Sequence, residues 1–135
     1  MTHSNQYKKY VENTVFTSTP EELVLLAYNT LIKYILQAIA AMEEKDIEKA
    51  NKSIIKAEDV ISELHASLDD KYEIAGNMKA IYEYMKERLV RANIEKNIEI
   101  LKEVFQFAKD FRDTWTEAMK IAKKNMRQNL QSNAK

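Results

Sequence analysis

Few side chains in this sequence could make or break bonds, and their spacing restricts them further. His3 and His65 are its two imidazoles. A di-iron site inside a helical bundle needs two Glu-x-x-His motifs and two further inward-facing glutamates. The residue three before His65 is Ser62, so that site cannot be assembled. Covalent haem attachment requires Cys-x-x-Cys-His. The chain has no cysteine, which also removes thiolate metal sites and disulfides. Non-covalent haem through Met and His stays formally open with six methionines, but methionine at helical spacing ordinarily fills gaps in a core. A serine nucleophile would have to use His65, at the polar edge of its helix, with no carboxylate evident to orient it. One glycine cannot build a phosphate-cradling loop. The expectation is therefore a protein that is not an enzyme and holds neither cofactor nor metal.

The remaining candidates are groups that bind. Tyrosines stand at positions 7, 10, 28, 34, 72, 82 and 84, and Trp115 joins four phenylalanines. Tyr and Trp combine a large apolar body with a polar tip, which suits an interface and a bundle core equally. Arg112 falls on an apolar helical seam beside Phe111. Either its stem packs while its guanidinium reaches a carboxylate, or it binds a partner's carboxylate or backbone. With 21 acidic and 21 basic side chains interspersed, formal net charge is zero and no concentrated basic face exists for a nucleic acid. The one basic bias, Lys120, Lys123, Lys124, Arg127 and Lys135, reads as a helix end complementing its own dipole.

The elements that must position these groups are helical. A chain of 135 residues with one Gly, one Pro and 31% charged residues has the size of one domain and the composition of an all-α protein. In Thr17-Ser18-Thr19-Pro20-Glu21-Glu22-Leu23, Thr19 is a good N-cap and Pro20 suits the first helical position. Glu22 completes a capping box. The first helix is predicted over 20–43. Its polar stripe (Glu22, Asn29, Thr30, Lys33, Gln37) is only about 100° wide, so it has more apolar surface than one bundle face uses. That surface is covered by the chain itself or receives a partner. The same polar residues interrupt Leu23–Met42 at helical spacing, so membrane insertion is not expected. The first six residues lack the apolar core of a signal peptide, and a cytoplasmic location is the expectation.

Asp46 is predicted to cap a second helix over 47–68, whose Ile47, Ala50, Ile54, Ala57, Ile61, Leu64 and Leu68 step by threes and fours. A third is predicted over 73–92, carrying Ile74, Met78, Ile81, Met85, Leu89 and Ala92, weakened near its start by Gly76 and stopped by Asn93. Asn97 caps a fourth over 98–123, with Ile98, Leu101, Phe105, Ala108, Trp115, Met119 and Ala122 on its seam. Val104, Phe107, Phe111 and Ala118 widen it. Four helices on short connections predict an antiparallel up-down four-helix bundle. The expected layout is one domain: an N-terminal arm over 1–16 studded with Tyr7, Tyr10, Val11, Val15 and Phe16, the bundle over 20–123, and a disordered tail over 126–135.

Several segments, in order, carry a resemblance to a known family. They are Tyr10, Val15, Thr17–Leu23 and Leu26-Ala27-Tyr28-Asn29; then Ala38-Ile39, Asp46-Ile47-Glu48-Lys49-Ala50-Asn51, Ile55-Lys56-Ala57 and Ile61-Ser62-Glu63-Leu64; then Ile81–Met85, Arg88-Leu89, Ala92-Asn93-Ile94 and Phe111–Trp115. From about Tyr10 to Met119 the chain resembles the flagellin-export chaperone (FliS) family. The resemblance implies a small cytoplasmic bundle without catalysis that binds the unfolded C-terminal segment of flagellin. It would prevent premature polymerisation and present its cargo to the flagellar type III export gate. It also implies that the arm bearing Tyr10 can occupy a groove that cargo uses. Family position and aromatic content together nominate Tyr7, Tyr10, Val15, Leu25, Tyr28, Ile32, Tyr82, Met85, Phe111, Arg112 and Trp115 as cargo contacts. Two residues depart from the family pattern: Thr30 stands where Gly is usual, and His65 where Asn is common. A self-associating helical module without flagellin cargo is the alternative, and a homodimer is compatible with either.

Overall fold

The computed structural model describes residues 19–68 and 74–133. They form α1 (Pro20–Glu43), α2 (Ile47–Ala66), α3 (Ile74–Glu95) and α4 (Ile98–Asn133). Helix α1 packs against α2 and α4, and α3 closes the ring against the same two. This is the predicted antiparallel four-helix arrangement. Each helix supplies two of the largest fully buried side chains: Leu31 and Ile35, Ile54 and Ile61, Met85 and Leu89, Leu101 and Val104. By length and composition α1 could cross a membrane. Its stripe of Tyr28, Leu31, Ile32, Ile35, Ala38 and Ala41 is instead part of the core of this bundle.

The helix starts form as their sequences dictate. The Thr19 hydroxyl accepts from the Glu22 N–H at 3.2 Å, with Pro20 at the first helical position. Asp46 Oδ1 accepts from the Lys49 N–H at 3.1 Å. Asn97 Oδ1 accepts from the Glu99 and Ile100 N–H groups at 2.9 and 3.4 Å.

The two turns at the shared end of the bundle are the same turn. Glu44-Lys45-Asp46-Ile47-Glu48 and Glu95-Lys96-Asn97-Ile98-Glu99 differ at one position. Lys45 and Lys96 both adopt left-handed backbone, with φ of 61° and 50°. The Asp46 N–H donates to the Ala41 carbonyl at 2.8 Å and the Asn97 N–H to the Ala92 carbonyl at 3.0 Å. This is the six-to-one bond of a Schellman ending, which satisfies carbonyls left over at a helix C-terminus. Ala41 and Ala92 are both buried below these turns, as are Ala57 and Ala108 beyond them. The α1–α2 and α3–α4 hairpins thus share one register.

Four sequence expectations need correction. Asn93 does not stop α3, which runs on to Glu95. Its amide donates to Asn51 Oδ1 of α2 at 2.6 Å, so its polarity is satisfied inside the helix. Helix α2 ends at Ala66 with Ser67 as C-cap, and its first seam residue, Ile47, is 64% exposed. The deepest line of α4 is Ile100, Leu101, Val104 and Ala108, while Ile98 and Phe105 lie only partly buried. Finally, α4 does not give way to a disordered tail after Lys123. It continues to Asn133, through Met, Arg, Gln and Leu, which are good helix formers.

Candidate functional site

The candidate site is a run of aromatic rings that starts in the core and climbs to the surface where α3 and α4 meet. Its floor is a buried pair, Tyr28 of α1 and Tyr82 of α3, 4% and 3% exposed. Their hydroxyls lie 2.5 Å apart, each supplying the partner that a buried hydroxyl requires. Burial raises the pKa of both above the usual tyrosine value, and the shared hydrogen bond raises that of Tyr82 further. Both are therefore neutral at physiological pH and serve as packing groups rather than acids.

Above this floor the Tyr28 ring stacks on Phe111 (centroids 6.4 Å apart, planes at 22°), and Phe111 on Phe107 (6.5 Å, 17°). Phe107 meets the Tyr84 ring edge-on at 6.0 Å. Tyr84 and Phe107 are 44% and 37% exposed, so the run ends in solvent. The Tyr84 hydroxyl donates to Glu103 at 2.7 Å, and Arg88 holds the other Glu103 oxygen at 3.2 Å. The Tyr84 hydrogen bond, and then Arg88, pull the Glu103 pKa below its usual value. Arg88 Nε is buried and has no hydrogen-bond partner among the described residues. At the far end, the Trp115 N–H donates to the Glu21 carbonyl at 2.9 Å, fastening α4 to the first turn of α1. There Leu23, Val24, Leu25, Leu26 and Ala27 are all only partly buried.

The nominated contacts divide into four groups. Tyr28, Tyr82 and Phe111 come together directly, with Trp115 and Leu25 partly exposed nearby along α4 and α1. Ile32 and Met85 are core residues, 7% and 0% exposed, enclosed to much the same degree as Tyr28 and Tyr82. Arg112 is half-buried and its Nε donates to the adjacent Asp113 at 3.1 Å. Tyr7, Tyr10 and Val15 lie outside the described residues, as does the arm that carries them.

Tyr84 and Phe107, both visible in the sequence as aromatic residues, are not among the nominated contacts. The signal available was the spacing Phe107–Phe111–Trp115, four residues apart, which brings three rings to one helix face.

The two departures from the family pattern also have structural settings. Thr30 turns its hydroxyl back to the Leu26 carbonyl at 2.8 Å, so its added bulk carries no unsatisfied group. His65 does have a carboxylate partner, contrary to the sequence reading. Glu83 reaches it from α3, Oε1 to Nε2 at 3.3 Å. The two residues line a cleft of about 210 Å³ between α2 and α3, where Lys86 also donates to the Ser62 hydroxyl at 2.8 Å. A carboxylate eighteen residues away on another helix is invisible to local spacing. Among the described residues no three His, Asp or Glu side chains group as a metal site.

Residues 3–122 match the family described as Flagellar protein FliS. Among curated relatives, the flagellar secretion chaperone FliS of Bacillus subtilis is 41% identical over 93% of this chain and 94% of its own length. The chaperone FliSB of Pseudomonas aeruginosa is 33% identical over 82% of this chain and 90% of its own, and the Escherichia coli FliS is 28% identical over 81% and 82%. The fold is shared with a crystal structure of a bacterial flagellar chaperone, with a TM-score of 0.71 at 14% identity, covering 87% of this chain and 98% of that one. On this match, a bundle whose most conspicuous surface is a run of aromatic rings belongs to the FliS family, which consists of flagellar secretion chaperones and not enzymes.

Proposed function

We propose that this protein binds the C-terminal segment of newly made, unfolded flagellin in the bacterial cytosol. There it prevents premature polymerisation and presents the cargo to the export gate of the flagellar type III apparatus. The observation that carries the reading is the aromatic run, buried at Tyr28 and Tyr82 and open to solvent at Phe107 and Tyr84. A surface of rings held in place by a rigid core can bury the apolar residues of an extended or helical segment at little ordering cost to itself. Leu23–Ala27 and Trp115 extend the apolar area along α1 and α4.

Ordering a flexible segment on binding costs about 2–5 kcal/mol, so the contact must bury on the order of 1,000 Å² or more. At about 25 cal/mol per Å² of apolar surface, an area of that size exceeds the ordering cost.

Calorimetry with roughly the last 50 residues of flagellin, a length able to bury that area, tests the reading. The expected result is micromolar or tighter binding with a negative heat-capacity change. No binding at micromolar concentrations, together with a mass that rises with protein concentration, would instead favour the self-associating module.

A further inference from the structure

Helix α4 is longer than the bundle needs. It has 36 residues against 24 in α1, and Trp115 already stands beside Glu21 in the first turn of α1. From Lys120 to Asn133 every residue is exposed. At about 1.5 Å per residue, some 20 Å of helix stands clear of the other described residues.

This projecting piece is not a uniformly polar stalk. At about 100° per residue, Met119, Ala122, Met126 and Leu130 lie within about 60° of Trp115, on the side where Leu101, Val104 and Ala108 are buried. The face that packs on the bundle therefore continues past its end, with Met126 and Leu130 each 65% exposed. The charges are one-sided. Lys123, Arg127, Lys120 and Lys124 follow one another around a single flank, whereas Asn125 and Asn129 occupy the other. From Thr116 to Asn133 there are four cations and one carboxylate, Glu117, in a chain whose overall charge is zero.

We infer that residues 119–133 are a docking site for an amphipathic helix of another protein, one whose apolar stripe is edged on one side by Asp or Glu. Three observations select that occupant. The exposed stripe prolongs the established α1–α4 packing face, so a helix laid on it continues the geometry in which α1 already sits. The basic flank calls for carboxylates opposite it. A second copy of this chain supplies none there: antiparallel pairing sets Lys123 and Arg127 against their own equivalents, and parallel pairing sets them against asparagines. A bilayer fits less well than a helix. The apolar arc is narrow, its far flank is lined by amides, and Ile121 projects from the opposite side at 53% exposure. The site lies beyond the aromatic run and does not depend on flagellin as cargo.

The test uses the full chain and two synthetic 18-residue helices with the same leucine stripe, one carrying Glu along the flank and the other Lys. Fluorescence anisotropy should show the Glu peptide binding roughly tenfold tighter than the Lys peptide at low salt, with the preference shrinking as salt is raised. The double variant K123E/R127E should reverse the preference. The variant M126E/L130E should bind neither peptide while keeping the wild-type melting temperature, because both positions are exposed. Equal binding of the two peptides, or an unreversed preference in K123E/R127E, overturns the proposal. So does co-sedimentation with phosphatidylglycerol vesicles in place of peptide binding, or a concentration-dependent mass abolished by M126E/L130E. A flagellin segment whose binding is lost in M126E/L130E would assign the stripe to cargo and overturn it too.

Discussion

Replacing Tyr82 with Phe removes one oxygen atom from the floor of the aromatic run and should cost far more than replacing Tyr28 and Tyr82 together. The two hydroxyls are 2.5 Å apart in a setting where both side chains are almost fully enclosed. In Tyr82→Phe the Tyr28 hydroxyl stays buried and loses that bond, a penalty of about 1–3 kcal/mol. In the double variant both polar groups are gone and the rings keep their shape, so the change should fall within about 1 kcal/mol of wild type. A double-mutant cycle by urea unfolding should then give a coupling of roughly 3 kcal/mol, two single costs of about 2 kcal/mol each less about 1 kcal/mol for the double. Alkaline pH provides a second readout. Both hydroxyls have pKa values raised by burial in the folded state. Above pH of about 10 the unfolded chain releases those protons and the folded one keeps them. The stability this pair contributes is therefore fully present below that pH and lost as pH rises toward the folded-state values. Wild type should lose stability in that range more steeply than Y28F/Y82F. Additive single-variant costs, or alkaline profiles that superimpose, would refute the idea that the pair acts as a unit.

Other expected outcomes follow from single positions. Lys45→Gly and Lys96→Gly should each stabilise the protein by about 0.5–1 kcal/mol in urea melts, because both lysines hold left-handed backbone at a helix ending where glycine is unstrained. Gly76→Ala should stabilise by a similar amount, about 0.5–1 kcal/mol, since Gly76 lies in the first turns of α3 without positive φ and a Cβ there meets nothing within 4 Å. Phe107→Ala should weaken binding of the flagellin segment about tenfold or more while costing about 1–3 kcal/mol of stability through its two lost ring contacts, as measured by calorimetry and urea unfolding on the same sample.

Much of the fold was legible because its signals are local. Thr19 and Pro20 set the start of α1 with no help from the rest of the chain, and Asp46 and Asn97 do the same for α2 and α4. What escaped was written across helices. Asn93 looks like a stop until Asn51, forty-two residues earlier, takes up its side chain. Tyr28 and Tyr82 could be nominated separately, but a bond across fifty-four residues has no signature in spacing. The repeated turn is a different case. Its five-residue likeness sits between helices that diverge, because the turn must meet one backbone geometry whereas each helix must fit a different set of neighbours. The end of α4 was missed because Met126 and Leu130 continue the apolar face without a buried neighbour, and polar residues between them imitate a solvated tail. At the candidate site, aromatic content located the rings, but exposure alone separates Tyr84 and Phe107, which reach solvent, from Met85, which does not.

The central claim is that the open end of the aromatic run receives the flagellin segment, and covalent capture tests it most directly. A photo-crosslinking benzoylphenylalanine placed at Phe107 should join the protein to the C-terminal segment of flagellin on irradiation. The same group at Ile55, somewhat more exposed than Phe107 but on α2, should not. Crosslinking from position 55 with none from position 107 would contradict the account.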